Sequence, residues 1–424
     1  MSEMKASGVE WIGEIPKNWK ISRLKYELSE PMKYGASENG VDYDENLYRY
    51  IRITDITLNG QLKEDGRLSL TESQANGYIL KDNTVLFARS GGTVGKTFLY
   101  KSEYGKSAFA GYLISAVADC NRILPKWLIY YTGSTAYKEW TNAIFTQATI
   151  QNIGADKYSN MQIPVAPLVI QKKVVAFLDT KCAEIDSLLS AIQIEIETLE
   201  EYKKSVIAET VTKGLNTNVQ MKDSDIQWIG MMPEHWECIR GKYILRYVQK
   251  PVKDDDGVIT CFRDGEVTLR SNRREEGFTM SDKEIGYQGI DVGDLVVHGM
   301  DGFAGSIGIS DSRGKASPVL NVLDTDMDKK YVMYYLRSMA YSDVFLALAT
   351  GIRVRSCDLR WNKLAELFYP VPPLEEQKEI SSHIDKIIKE ADSIIDIKKK
   401  QLEMINEYKQ SIIYEYVTGK KEVM

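Results

Sequence analysis

The stretch W-I-G-E-I-P-K-N-W, Trp11 to Trp19, returns as W-I-G-M-M-P-E-H-W, Trp228 to Trp236, at an offset of 217 residues. A second pair of matches follows it at an offset of 206. I-P-V-A-P-L-V-I-Q, Ile163 to Gln171, corresponds to Y-P-V-P-P-L-E-E-Q, Tyr369 to Gln377. The same offset relates E-Y-K-K-S at Glu201 to Ser205 with E-Y-K-Q-S at Glu407 to Ser411, and Val211-Thr212 with Val417-Thr418. The chain is therefore one unit written twice, each copy a globular stretch followed by a helical one. The fall in offset places an 11-residue loss in the second globular stretch.

The helical stretches are legible from period alone. After Pro167, Leu178, Ile185, Ile192, Leu199 and Val206 recur every seven residues, with Cys182, Leu189 and Ile196 four further on, as in a coiled-coil seam. The second stretch opens after Pro372-Pro373 and carries Ile384, Ala391, Ile405 and Ile412, with Ile388, Ile395 and Leu402 alongside and Lys398 interrupting. Both end near glycine, Gly214 and Gly419. A helix from Leu168 to Thr212 would be roughly 65 Å long at 1.5 Å per residue. One such seam suits homodimerisation or intramolecular packing equally; two in one chain favour antiparallel pairing with each other. That pairing would put the globular parts at opposite ends, with approximate two-fold symmetry.

The globular stretches alternate short apolar runs (Tyr48 to Thr54, Val85 to Arg89, Val258 to Phe262, Asp294 to His298) with Gly, Asn and Asp turns. These read as strands. Helical patches, Trp127 to Thr141 and Lys329 to Leu348, lie between them, so the class is α+β. The expected organisation is a first globular domain over 1–165, a central helix over 166–215, a second domain over 216–370 and a C-terminal helix over 371–424.

At 424 residues more than one core is expected. Residues Met1 to Trp11 lack a basic patch followed by an apolar run, and no 18 consecutive residues are apolar, so a cytoplasmic protein is expected. Cys120, Cys182, Cys238, Cys261 and Cys357 are scattered, as are His235, His298 and His383, which suits reduced thiols and argues against a protein-only zinc site. The net charge of −6 is unusual for a nucleic-acid binder. Its distribution matters more. Residues 20–160 carry 17 basic against 15 acidic side chains and 237–369 carry 19 against 20, whereas the helical stretches are acidic. Local basic faces are thus permitted.

The string S-G-G-T-V-G-K-T, Ser90 to Thr97, resembles a phosphate-binding P-loop but has Ser90 where the motif needs glycine. The related stretch of the second copy, His298 to Gly308, continues with Ile309-Ser310 and lacks the lysine. A strand-ending glycine loop is the better reading, one able to bring backbone amides close to phosphate. No N-P-P-[FYW] or D-P-P-[FYW] loop for amino-group methylation is present; Pro372-Pro373 is a helix start. Asp254-Asp255-Asp256 reads as a solvated turn after Pro251 rather than a metal site. No nucleophile, base and orienting acid stand out, so no catalytic residue and no metal ligand is assigned.

The residues suited to DNA are those of the glycine loop, Arg89, Ser90, Thr93 and Lys96, and of the polar stretch before the central helix, Thr146, Gln147, Thr149, Gln151 and Asn152. In the second copy they are His298, Arg353, Arg355 and Arg360. Asn and Gln pair with adenine edges and Arg with guanine, so differing chemistry at matched places would suit two domains reading different sequences. Ordinary solvated loop surface is the alternative for any one of them.

The W-I-G-x-x-P-x-x-W opening, the R-S-G-G-T-V-G-K loop, the P-V-[AP]-P-L-x-x-Q helix start and E-Y-K-x-S, in order and doubled, resemble the specificity subunits of Type I restriction-modification enzymes over nearly the whole chain. The family's E-E-Q is kept at Glu375-Glu376-Gln377 but is Val169-Ile170-Gln171 in the first copy. The resemblance implies two target-recognition domains that read two short, different half-sites of double-stranded DNA, with helix length setting the gap. It implies two methyltransferase subunits, which bring S-adenosylmethionine and dock on the helices, and restriction subunits, which bring ATP and Mg. The chain itself would hold no cofactor and catalyse nothing. A coiled-coil scaffold that does not read DNA and a nucleotide hydrolase using Ser90 to Thr97 are the rival readings, and a methylation-only assembly is a variant within the family.

Overall fold

The seven-residue pattern after Pro167 becomes one α-helix of 46 residues, Leu168–Lys213, and its counterpart one of 44, Leu374–Val417. The computed structural model describes residues 3–57, 60–145, 151–273, 285–348 and 359–423. Two units divide the chain. The first runs to Ile192 and takes in the chain from Lys400 on; the second is Gln193–Lys399. Each long helix therefore starts in the unit of the globular stretch before it and finishes in the other.

In the first unit the two helices run antiparallel. Phe177 meets Tyr416 with ring centroids 4.5 Å apart, and Lys409 Nζ donates to Asp186 at 2.5 Å. Leu178, Cys182 and Ile185 share a core with Ile412, Ile413 and Val417. In the second unit Ile207 and Val211 share a core with Ile380 and Ile384, and Lys203 donates to Asp392 at 2.5 Å. Lys203 and Lys409 are 206 residues apart, as are Asp186 and Asp392, so one ion pair is built twice. Lys398, which breaks the apolar seam, is held by Glu195.

The seam departs from the strict seven-residue pattern in one place. Ile192 and Ile196 are buried and Leu199 half-buried, but beyond it Ile207 rather than Val206 is the buried position. A straight helix has 3.6 residues per turn, so a 3.5-residue stripe drifts and the inward position slips by one. On the C-terminal helix Ile384, Ala391, Ile395 and Ile412 are buried, and Ile388, Leu402 and Ile405 are partly so.

Each globular body is built on the same antiparallel sheet. In the first unit its order is Lys33–Tyr34, Leu113–Val117, Thr84–Ala88, Thr97–Leu99; in the second it is Leu245–Val248, Leu320–Thr325, Leu295–His298, Ile307–Ile309. The expected helical patches are present but broken: Trp127 to Thr141 falls in Pro125–Thr132 and Thr135–Phe145, and Lys329 to Leu348 in Lys329–Tyr341 and Val344–Ala347. The peripheries differ. Among the described residues the first unit adds a second four-stranded sheet, where the second has two-stranded ribbons, Ile259–Cys261 with Val267–Leu269 and Gln288–Ile290 with Gly314–Ala316.

The duplicated motifs now have physical reasons. Within each W-I-G segment the glycine sits at positive φ, Gly13 at 69° and Gly230 at 65°, and closes a turn by donating to Val9 or Ile226. The tryptophan that ends the motif packs where a long helix stops. A Cβ on Gly419 would lie 2.4 Å from Pro16 Cδ and 3.0 Å from Trp19, and one on Gly214 would lie 3.1 Å from Trp236. Both glycines are left-handed helix terminators that only glycine fits. The body is tied to its helix start alike in each copy. Trp127 Nε1 donates to Pro164 O and Tyr131 to Gln162 O, while Tyr331 donates to Pro370 O and Tyr335 to Phe368 O. Lys126 and Tyr130 grip Asp179; Lys330 and Tyr334 grip Asp385.

The run Asp254-Asp255-Asp256 differs from the expected solvated turn. Asp254 and Asp255 are exposed, but Asp256 is buried and accepts from Arg313 Nε at 2.9 Å and Nη2 at 2.8 Å, and from the Lys253 amide. Arg313 also reaches Asp291, which shares Lys250 with Asp294. The Arg313 bonds hold the Asp256 carboxyl down at about 2, below its usual 3.8. Because the folded value is depressed, the stabilisation is present above pH 4 and is lost as pH falls toward 2. Asp256→Asn should cost about 2 kcal/mol at pH 7, and the gap to the unaltered chain should narrow between pH 4 and pH 2. Urea unfolding across that range reads it; a gap independent of pH would refute the assignment.

Candidate nucleic-acid interface

In the first unit the wholly buried strand Thr84–Ala88 emerges at Arg89. Three backbone bonds fix that point: Arg89 N to Tyr112 O at 3.0 Å, Ile153 N to Arg89 O at 2.8 Å, and the bridge between Ser90 and Asn152. The Arg89 guanidinium lies 4.8 Å from the ring centre of Tyr34, whose hydroxyl accepts the Ala155 amide at 2.9 Å. The Arg89 Nε is buried without a hydrogen-bond partner among the described residues. Tyr34 and Tyr112 are both exposed. Arg89, Ser90, Tyr34, Tyr112 and Asn152 thus converge at one strand end, with Gln151 exposed beside them.

The loop that follows is a hairpin. Ala88 N bonds Lys96 O, Gly95 N bonds Ala88 O, and Thr93 closes a short 3-10 turn, Gly91–Thr93, before the strand Thr97–Leu99. A P-loop leads from a strand into a helix. This loop leads from one antiparallel strand into the next, so its resemblance to a nucleotide cradle is in sequence alone. Two buried phenols brace it, Tyr137 donating to Gly95 O at 2.7 Å and Tyr158 to Ala88 O at 2.8 Å. Burial pushes both phenols far above their ordinary value and keeps them neutral donors. Among the described residues nothing lies within 4 Å of where a Cβ on Gly91 or Gly92 would be, which leaves the loop backbone open to a ligand, and Lys96 is exposed beside it.

The second unit repeats the frame with other side chains. Strand Leu295–His298 ends at Gly299, whose amide bonds Val319 O at 2.7 Å and whose carbonyl accepts Leu359 N at 2.8 Å. His298 Nδ1 accepts the amides of Met300 and Asp301 at 3.2 and 2.9 Å. Burial lowers the imidazole's pKa, so His298 is a neutral cap of its own loop with the proton on Nε2. Arg360 packs alongside, its Cγ 3.7 Å from where a Gly299 Cβ would be. Asn321 ties Val297 O to Leu359 O. Thr146, Gln147, Thr149, Arg353 and Arg355 lie outside the described residues. Tyr34 and Tyr112 carried no motif, and only the fold brings them to Arg89.

Among the described residues no group of three or more His, Cys, Asp or Glu is placed to hold a metal, and no helix is long and apolar enough to cross a membrane.

Residues 16–198 match the family model described as the Type I restriction modification DNA specificity domain. The chain is 26% identical over 436 residues to a putative type I restriction enzyme MjaX specificity subunit of Methanocaldococcus jannaschii, covering 97% of this chain and 96% of that one. It is 25% identical over 429 residues to the type I restriction enzyme MjaVIII specificity subunit of the same organism, covering 96% and 94%. A solved chain from work on complex assembly and conformational transition of the type I R-M system has the same fold, with a TM-score of 0.68 at 15% identity over 96% of this chain and 99% of that one.

Proposed function

We propose that this chain, a specificity subunit of the Type I restriction-modification family, reads a split, asymmetric DNA target with one half-site per globular body. As a specificity subunit it is non-catalytic, an address for the chemistry of others. The observation that carries the two-site reading is the frame built twice around Arg89 and Gly299, which presents different chemistry in each copy. Two identical readers would instead imply a symmetric target. In the first body the open glycine backbone and Lys96 are suited to phosphate, and Arg89, Gln151 and Asn152 to phosphate or base edges. In the second, Arg360 is the described candidate.

Partner subunits supply what this chain lacks. Two methyltransferase subunits would carry S-adenosylmethionine, and restriction subunits ATP and Mg. The long helices are the proposed docking surface for the methyltransferases. Exposed apolar side chains support this: Met404, 67% exposed, and Tyr408 in the first unit, and Tyr202, Ile394 and Ile397 in the second, lie outside the seam that pairs the helices.

Single-molecule sequencing of methyladenine in cells expressing the methyltransferase subunits with and without this chain tests the reading. Methylation confined to a split motif and dependent on this chain is the expected result. An active methyltransferase whose pattern ignores the chain would favour a scaffold that does not read DNA.

A further inference from the structure

The polypeptide that lies beside Arg89 is a β-turn, Ala110-Gly111-Tyr112-Leu113, closed by Leu113 N to Ala110 O at 2.8 Å. The second body has the same turn at Ser317-Pro318-Val319-Leu320, closed by Leu320 N to Ser317 O at 3.1 Å. In both, the third residue of the turn accepts the amide at the strand end through its carbonyl, Tyr112 from Arg89 and Val319 from Gly299. Backbone, bonds and place are repeated; the side chains are not, since Tyr112 is exposed whereas Val319 is half-buried against a core that includes Val296 and Val322.

The first turn is held tightly. Gly111 N donates to Ala36 O at 2.7 Å, and a Cβ on Gly111 would lie 2.9 Å from Ser37 Oγ and 3.3 Å from Ala36 O. Gly35 N in turn donates to Leu113 O. From this clamped turn Tyr112 is 63% exposed, its carbonyl bonded to the amide of Arg89, whose guanidinium lies over Tyr34. A tyrosine on a rigid mount presents much surface at the cost of few rotors, with a hydroxyl that can donate or accept.

We infer that Tyr112, the third residue of this turn, is a base-reading position for the first half-site, with Val319, half-buried against its own core, at the matched place of the second body. This rests on the chain being a DNA reader. Tyr112 would contact a base edge through its ring, as on a thymine methyl, or through its hydroxyl, while Arg89 beside it holds the strand.

The test uses the full chain assembled with its methyltransferase subunits and reads the methylated motif genome-wide for Tyr112→Ala, Tyr112→Val, Tyr112→Phe and Val319→Tyr. Tyr112→Ala and Tyr112→Val should raise methylation of sites altered at one base of one half-site by about tenfold or more relative to the original sites, with the other half-site and the gap unchanged. Val319→Tyr should alter the other half-site. Tyr112→Phe separates the two contacts, since it keeps the original motif if the ring reads and relaxes it if the hydroxyl does. A motif left intact by both Tyr112→Ala and Val319→Tyr, with methylation lowered evenly at all sites, overturns the proposal. If the unaltered chain directs no split motif at all, the failure is instead that of the DNA-reading assignment.

Discussion

Gln171→Leu should destabilise the first unit by about 3 to 5 kcal/mol, among the larger effects of any single substitution. Gln171 is wholly buried at the start of the central helix and makes three bonds: its Nε2 donates to Ala166 O at 2.8 Å and Arg122 O at 3.0 Å, and its Oε1 accepts Leu124 N at 2.8 Å. Leucine fills the space but leaves these backbone groups without partners where water is excluded. Gln377 holds the matching place with two bonds, Nε2 to Pro372 O at 2.7 Å and Asp328 N to Oε1 at 2.8 Å, so Gln377→Leu should cost less. The neighbours explain why the motif varies around a fixed glutamine. Val169 is 68% exposed, as Glu375 is open to solvent in the other copy, so neither constrains the other's chemistry. Calorimetry of the whole chain should show the first unit's transition falling by about 10 °C. A shift below 2 °C would mean that water or a rearranged backbone satisfies those groups.

Much of the architecture was legible because it is periodic or repeated. The helix period located the central helix to within two residues at each end, the C-terminal helix begins after Pro372-Pro373 as read but stops at Val417 rather than running to 424, and the doubled W-I-G segment announced a doubled body. What was not legible depended on contacts remote in sequence. The buried Asp256 looked like its exposed neighbours until Arg313, 57 residues on, was folded against it. The same holds for Tyr34, which acquires its role from Arg89 and from Ala155, 121 residues away. His298, a candidate DNA contact by its place in the glycine loop, has its Nδ1 occupied by the amides of that loop, which the sequence did not show. The helix-phase slip from Val206 to Ile207 is the reverse case, a local property of straight helices that a strict seven-residue template overlooks.

Replacing residues 20–160 with the equivalent stretch of a relative should convert one half-site and leave the other untouched. The structure gives a reason why such an exchange can be tolerated. Where the exchanged body meets the retained helix start, the bonds are largely to backbone: strand Lys20–Arg23 pairs with Gln162–Val165, and Trp127 and Tyr131 donate to the carbonyls of Pro164 and Gln162. Backbone partners accept any donor that keeps the aromatic anchors and the Lys126 and Tyr130 grip on Asp179. Specific and non-specific DNA binding usually differ by about a thousandfold or more, so methylation of sites carrying the donor's half-site should rise by that order while sites carrying the former one fall to background. The second half-site, which the proposed function assigns to the body within Gln193–Lys399, should be identical before and after. Methylome sequencing of the exchanged chain with its methyltransferase subunits decides it. A change in both half-sites would mean that the bodies do not read independently, and the frame repeated around Arg89 and Gly299 would then be a structural inheritance rather than a pair of separate readers.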